Sequence, residues 1–137
     1  MSGRVNLKFA TAILAGAMVF AGTAAFAQDV TGNPEAGEKV FKKCKACHDL
    51  DGKNKVGPHL DGVFGRTAGS VEDFQKKYSD GLKEAGANGL VWNAETLAQY
   101  LPSPKDMIDG SKMTFKLTKP DEIENVIAYL AEHSEDD

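Results

Sequence analysis

The sequence predicts a small all-α domain of three to five helices, and three observations predict it. Apolar residues near both ends recur at helical spacing, at Ala36, Val40 and Phe41 and again at Ile123, Val126, Ile127, Leu130 and Ala131. No stretch alternates apolar and polar residues for long enough to claim a sheet, and no internal repeat is present. Between the two ends, Gly, Pro, Ser and Asn divide the chain into short segments that carry helix start and stop signals.

Ahead of the first helix, residues 1–27 read as a secretory signal: Arg4 and Lys8 form a positive start, Phe9 to Phe20 an apolar stretch, and Ala25-Phe26-Ala27 a small-residue cleavage site. An uncleaved anchor is the alternative, because the 19 residues from Phe9 to Ala27 carry no charge. The Ala-x-Ala ending favours cleavage, with the mature chain 28–137 starting at Gln28. Of 137 residues, 110 then remain, enough for one small domain with a modest core of its own. Loss of Arg4 and Lys8 lowers 16 basic residues to 14 against 20 acidic ones, a net charge of −6, which excludes nucleic-acid binding on bulk charge.

In the first helix, Asn33 caps, Pro34 takes the first helical position, and Ala36, Val40, Phe41, Cys44 and Cys47 share a stripe. That helix is expected to run into Cys44-Lys45-Ala46-Cys47-His48, the spacing at which two thiols trap the two vinyl groups of a haem and the adjacent imidazole binds its iron. A thioredoxin-like pair would need a preceding strand in a βαβ setting, which this segment lacks. Zinc needs about four ligands, and the chain has 2 cysteines in all. A disulfide at this spacing would close almost no loop. A covalently attached c-type haem is therefore the expected cofactor, and export agrees with it, since bacteria attach such haems outside the cytoplasmic membrane.

The stretch from Leu50 to Tyr78 reads as loop, and a loop of that length implies function or a large buried partner such as the haem. Shorter helices follow: Ser79 to Ala85 stopped by Gly86, Ala94 to Leu101 capped by Asn93 and stopped by Pro102, and one turn opened by Ser103-Pro104-Lys105-Asp106 and ended near Gly110. Trp92 and Leu97 stand at the positions of a hydrophobic staple around Asn93. The last helix starts at Thr118 and Pro120-Asp121-Glu122 and has one fully apolar face. Gly37 on the first helix, with Ala128 and Tyr129 on the last, would let the two terminal helices cross at close range.

Charge is unevenly spread. Six lysines (39, 42, 43, 45, 53 and 55) surround the Cys-x-x-Cys-His segment, whereas Asp121 to Asp137 holds seven acids and no Lys or Arg, so the molecule should be a dipole. The tail from His133 onward reads as a solvated face. For the second axial position of an iron held by His48, the residues alone leave His59, His133, Met107 and Met113 as candidates.

The chain resembles class I cytochrome c, close to the soluble bacterial carriers of photosynthetic and respiratory chains, over nearly all of its mature length. The resemblance rests on an ordered set: Gly37-Glu38-Lys39-Val40-Phe41, then Cys44 to His48, Gly57-Pro58-His59-Leu60, Gly62-Val63-Phe64-Gly65-Arg66 and Tyr78-Ser79. Trp92, Tyr100-Leu101, Pro104-Lys105, Gly110 to Phe115 and Ile127 to Leu130 complete it. It implies the small cytochrome c fold, helices wrapped around one haem c, and a soluble one-electron carrier of the periplasm, not an enzyme. Residue by residue, it implies that Cys44 and Cys47 form the thioethers, that His48 and Met113 are the axial ligands, and that Pro58 accepts the imidazole's other N–H. It further places Arg66, Tyr78 and Trp92 at the propionates, Tyr100 near the methionine sulfur, and Phe115 at the exposed haem edge. His59 departs from the common Asn, and the lengths of Gly81 to Gly89 and of Phe41 to Cys44 follow the bacterial branch.

The expected partners are redox proteins with acidic docking patches: a cytochrome bc complex, an oxidase, a reaction centre or a periplasmic dehydrogenase. Lys42, Lys43, Lys45, Lys105, Lys112 and Lys116 would ring the haem edge and steer them. A peroxidase would need a distal His and Arg pair, which does not present itself; against a gas-sensing module with five-coordinate iron stand the position of Cys44 near the mature N-terminus and the presence of Met113. The lack of a coiled-coil seam favours a monomer.

Overall fold

The computed structural model describes residues 30–135. The expected signal at 1–27 therefore lies outside the described residues. Five helices follow in order: α1 (Pro34–Phe41), α2 (Asp80–Ala87), α3 (Ala94–Tyr100), α4 (Pro104–Met107) and α5 (Pro120–Glu132). Among the described residues the only ladder pairing is an isolated antiparallel bridge between Thr67 and Val91. The all-α reading is borne out, and no described helix is long and apolar enough to cross a membrane.

The frame is the crossing of α1 and α5. Asn33 is extended, and its side chain accepts the Ala36 N–H at 2.9 Å, so the cap forms as the sequence predicts. One face of α1 buries Gly37, Val40 and Phe41, and the facing stripe of α5 buries Ile123, Val126, Ile127, Ala128 and Leu130. A methyl group on Gly37 would lie 2.0 Å from the Asn125 carbonyl oxygen and 2.7 Å from Tyr129 Cβ, so only hydrogen at that position allows this approach. The expected role of Tyr129 holds, but the backbone that Gly37 meets is that of Asn125, and not that of Ala128. Asn125 also accepts the Asn33 N–H at 2.8 Å. Phe41 and Val126 are each 1% exposed, and burial of such side chains contributes about 1.5–3 kcal/mol apiece against about 1 kcal/mol for a cap. Packing therefore decides the crossing, and the cap sets where α1 begins.

Several boundaries differ from expectation. The α-helical part of α1 stops at Phe41, and the chain continues through tighter turns. The N–H groups of Cys44 and Lys45 both return to the Phe41 carbonyl, at 2.8 and 3.1 Å, and those of Cys47 and His48 both return to the Cys44 carbonyl, at 3.0 and 2.9 Å. Gly86 does not stop α2. The helix passes through it to Ala87 and ends ahead of Gly89, whose φ of +98° turns the chain while the Leu90 N–H bonds the Ala85 carbonyl at 2.9 Å. A methyl group on Gly86 would come within 1.9 Å of the Ala68 carbonyl oxygen, so Gly86 serves docking.

In α3, Asn93 and Thr96 make a reciprocal capping box, and Trp92 and Leu97 join the same core. Thr118 plays no capping part at α5. Lys119 occupies the cap position without a side-chain bond, and Pro120 with the acids Asp121 and Glu122 defines the start. Ala131 is only half-buried, so the apolar stripe of α5 ends with Leu130.

The long loop includes a 3₁₀ turn at Glu72–Phe74 that nothing in the sequence pattern announced. It is tied to the end of α5: the Gly62 N–H donates to the His133 carbonyl at 3.0 Å, and the Phe64 N–H donates to Ser134 Oγ at 3.2 Å. The His133 ring packs on Tyr129 at 4.3 Å and bonds its carbonyl at 2.8 Å. His133 and Ser134 thus belong to the fold, and not to a solvated tail.

Candidate haem site

His48 is the centre of the site. Its Nδ1 lies 2.6 Å from the Pro58 carbonyl oxygen. A carbonyl can only accept, so the ring proton sits on Nδ1 and the lone pair left for a metal is on Nε2. Burial lowers the His48 pKa, and Lys55 adds to that, while the Pro58 bond opposes it. The neutral imidazole that a metal requires is therefore the favoured form.

Gly57 brings the ring and the loop together. A methyl group there would lie 2.3 Å from His48 Cε1 and 2.7 Å from Nδ1, and the Gly57 N–H bonds the Cys47 carbonyl at 2.7 Å. The sequence reading gave this residue no role. Its position directly before Pro58 was the available signal.

Cys44 is half-buried and Cys47 exposed, and both are free, so no disulfide closes the short segment between them. Burial pushes the Cys44 thiol up to about 11, with Lys43 opposing and Cys47 adding. Burial thus keeps this thiol in its neutral form.

Met113 is half-buried and packs against the main core, as does Met107. The Met113 loop is fastened at several points. Tyr100 Oη lies 3.0 Å from Ser111 Oγ, both groups buried. The Lys112 ammonium donates to the carbonyls of Lys77 at 2.8 Å and Tyr78 at 3.4 Å. The Leu117 N–H bonds the Leu101 carbonyl at 2.9 Å. Burial raises the Tyr100 pKa against the Ser111 bond, so the phenol stays neutral.

Trp92 and Tyr100 pack ring on ring at 4.9 Å. Tyr78 is buried beside Phe74, also at 4.9 Å, and its hydroxyl receives the Val71 N–H at 3.4 Å. Arg66 reaches the loop that follows Pro58. It donates to the His59 carbonyl at 2.7 Å and to the Asp61 carbonyl. His59 Nδ1 lies 2.9 Å from the Asp61 carboxylate, so the departure from Asn is met by a local hydrogen bond. Burial raises the Asp61 pKa, but the Gly52 N–H and the His59 imidazole outweigh it and leave the carboxyl below its usual range.

Phe115 is 40% exposed and Val56 77% exposed. Of the expected lysine ring, Lys43 is engaged with Glu122 at 2.7 Å, whereas Lys42, Lys45, Lys105 and Lys116 are exposed. The Lys55 ammonium sits on the Lys45 carbonyl, within the motif.

These residues fit a haem. Among the described residues no three of His, Cys, Asp and Glu converge. Leu50, Leu60, Phe64, Met107 and Met113 are only partly buried and pack on the core, and their remaining exposed apolar surface suits a flat apolar macrocycle.

The cytochrome c family model matches residues 34–134. Cytochrome c2 of Rhodospirillum rubrum is 51% identical over 124 residues, covering 83% of this chain and 88% of that protein. Cytochrome c2 of Cereibacter sphaeroides is 43% identical over 141 aligned positions, covering 90% of this chain and 95% of that protein. The structure of cytochrome c2 from Rhodospirillum centenum superposes with a TM-score of 0.69 at 42% identity, covering 75% of this chain and 99% of that one.

Proposed function

The chain belongs to the cytochrome c family, as a class I soluble bacterial electron carrier with one covalently bound c-type haem, and on that premise we propose how its residues hold the haem and where it works. Cys44 and Cys47 form the thioether links. His48 supplies one axial ligand through Nε2 and Met113 the other through its sulfur. The observation that carries this reading is the 2.6 Å contact of His48 Nδ1 with the Pro58 carbonyl, which fixes tautomer and ring direction directly behind the cysteine pair.

When bound, the haem supplies a one-electron ferrous–ferric couple. The chain supplies everything that sets its potential and access. A neutral thioether favours the ferrous state, and the buried aromatic wall of Tyr78, Trp92 and Tyr100 disfavours the extra charge of the ferric one. Tyr78, Trp92 and Arg66 stand as donors for the propionates, with Arg66 also holding the His59–Asp61 loop. Phe115 shields the exposed edge.

The setting is the periplasm, reached through residues 1–27. The partners are redox proteins with acidic docking patches, among them a cytochrome bc complex, a reaction centre, an oxidase or a dehydrogenase. The exposed Lys42, Lys45, Lys105 and Lys116 steer these encounters. With both axial positions filled there is no open site for substrate, so the protein acts as a carrier and not as a peroxidase or gas sensor. Carbon monoxide added to the reduced protein at neutral pH tests this: the spectrum is expected to stay unchanged, and rapid formation of a carbonyl adduct would point to an open iron position.

A further inference from the structure

α2 rests on the backbone of two loops, each time through a glycine. At Gly86 an added methyl group would fall 1.9 Å from the Ala68 carbonyl oxygen. At Gly81 it would fall 1.9 Å from the Asp109 carbonyl oxygen and 3.4 Å from Ile108 Cγ2. The loops differ in kind. Ala68 lies in the connection before α2, whereas Asp109 lies four residues ahead of Met113 in the loop that carries it.

The Gly81 seam has a second fastening. The Lys112 ammonium donates to the Lys77 and Tyr78 carbonyls, immediately ahead of α2. The helix start is itself fixed: Ser79 is buried, and its Oγ accepts the Leu82 N–H at 3.2 Å. Across the loop, the Tyr100–Ser111 bond holds the opposite side. Residues 109–113 are thus clamped between the start of α2 and the end of α3.

We propose that Gly81 and Lys112 are positioning residues for Met113: the start of α2 is the seat that keeps the methionine loop pressed toward the site, so it sets how often the sulfur leaves its ligand position. The proposal rests on Met113 as the ligand. A packed backbone contact cannot yield gradually, so a methyl group at residue 81 must push Asp109 and the chain behind it outward. On helix propensity alone, Gly→Ala favours α2 at either position. Any loss therefore comes from the seat and not from the helix.

The test compares Gly81→Ala with Gly86→Ala in the ferric holoprotein, using imidazole as a competing ligand and the red charge-transfer band of thioether-bound ferric haem, with urea unfolding as the common scale. Exogenous imidazole binds only when the sulfur has left, so its apparent affinity reports the displaced fraction. Gly81→Ala is expected to tighten imidazole binding by about tenfold or more and to weaken the band, while Gly86→Ala, at similar loss of urea resistance, stays within about twofold of the parent. Equal changes in both variants, or an unchanged affinity in Gly81→Ala, overturn the proposal while leaving Met113 as ligand. A parent protein without the band overturns the ligand assignment and the proposal together. If Gly81→Ala yields no holoprotein, Lys112→Gln decides: tighter imidazole binding supports the seat, and unchanged binding overturns it.

Discussion

The Pro58 carbonyl, Gly57 and the His59–Asp61 contact show how single residues set the direction of one imidazole. Pro58 fixes the proton on His48 Nδ1, Gly57 gives the ring room, and Asp61 with Arg66 pins the loop that presents Pro58. The Asp61 carboxyl lies below its ordinary range, so its ionised form is favoured in the folded state. Stability from that group is present above the unfolded pKa of about 3.9 and is lost as pH falls through the lowered folded value. Asp61→Asn is therefore expected to be less resistant to urea than the parent at neutral pH, with the gap closing in acid. A gap that stays constant into acid would show that the carboxylate charge is not what matters.

Residue types were legible here, and so, through the resemblance, was the His48–Pro58 pair, but the contacts of Gly57, His59 and Arg66 were not. His48, Pro58 and the cysteines came directly from spacing and resemblance. Gly57 was quoted without a role, because a glycine's reason is the atom it lets in, and that atom belongs to a ring nine residues earlier.

Among the elements, the α1–α5 crossing was readable because both helices announce a buried stripe and a start signal in their own letters. The short helices were readable in existence and less so in extent. Gly86 looked like a stop because termination is the commoner use of glycine near a helix end, but the glycine with positive φ after α2 is Gly89, and Gly86 is there to admit the Ala68 carbonyl. Thr118 looked like a cap, yet Pro120 sets the boundary.

The crossing gives the sharpest expectation at this scale. Gly37→Ala must force a methyl group against the Asn125 carbonyl, which is backbone that cannot turn aside. Urea unfolding of the holoprotein is expected to show a loss of roughly 1–3 kcal/mol, the usual cost of overpacking. A neutral or stabilising result would mean that the two helices are not held at this distance.

For the molecule as a whole, charge placement follows the sequence only in part. The lysine-rich and acid-rich segments meet at Lys43 and Glu122, 2.7 Å apart, and Lys119 approaches Glu122 at 3.4 Å. Because that contact joins the two blocks, part of the expected dipole is spent inside the molecule. What remains for steering is the set of exposed lysines around the proposed haem edge. The one-electron reaction with an acidic redox partner is expected to slow steadily between low and physiological salt, since the Debye length shrinks from about 30 Å at 0.01 M to about 8 Å at 0.15 M. Rates that ignore salt would remove the lysines from the docking account.

The central proposal is that Met113 sulfur is the second ligand of an iron held by His48. Iron X-ray absorption on the ferric protein measures it directly. One sulfur scatterer in the first shell is expected in the parent and none in Met113→Ala. A parent shell of nitrogen and oxygen alone, or a sulfur that survives in Met113→Ala and vanishes in Met107→Ala, would contradict the account.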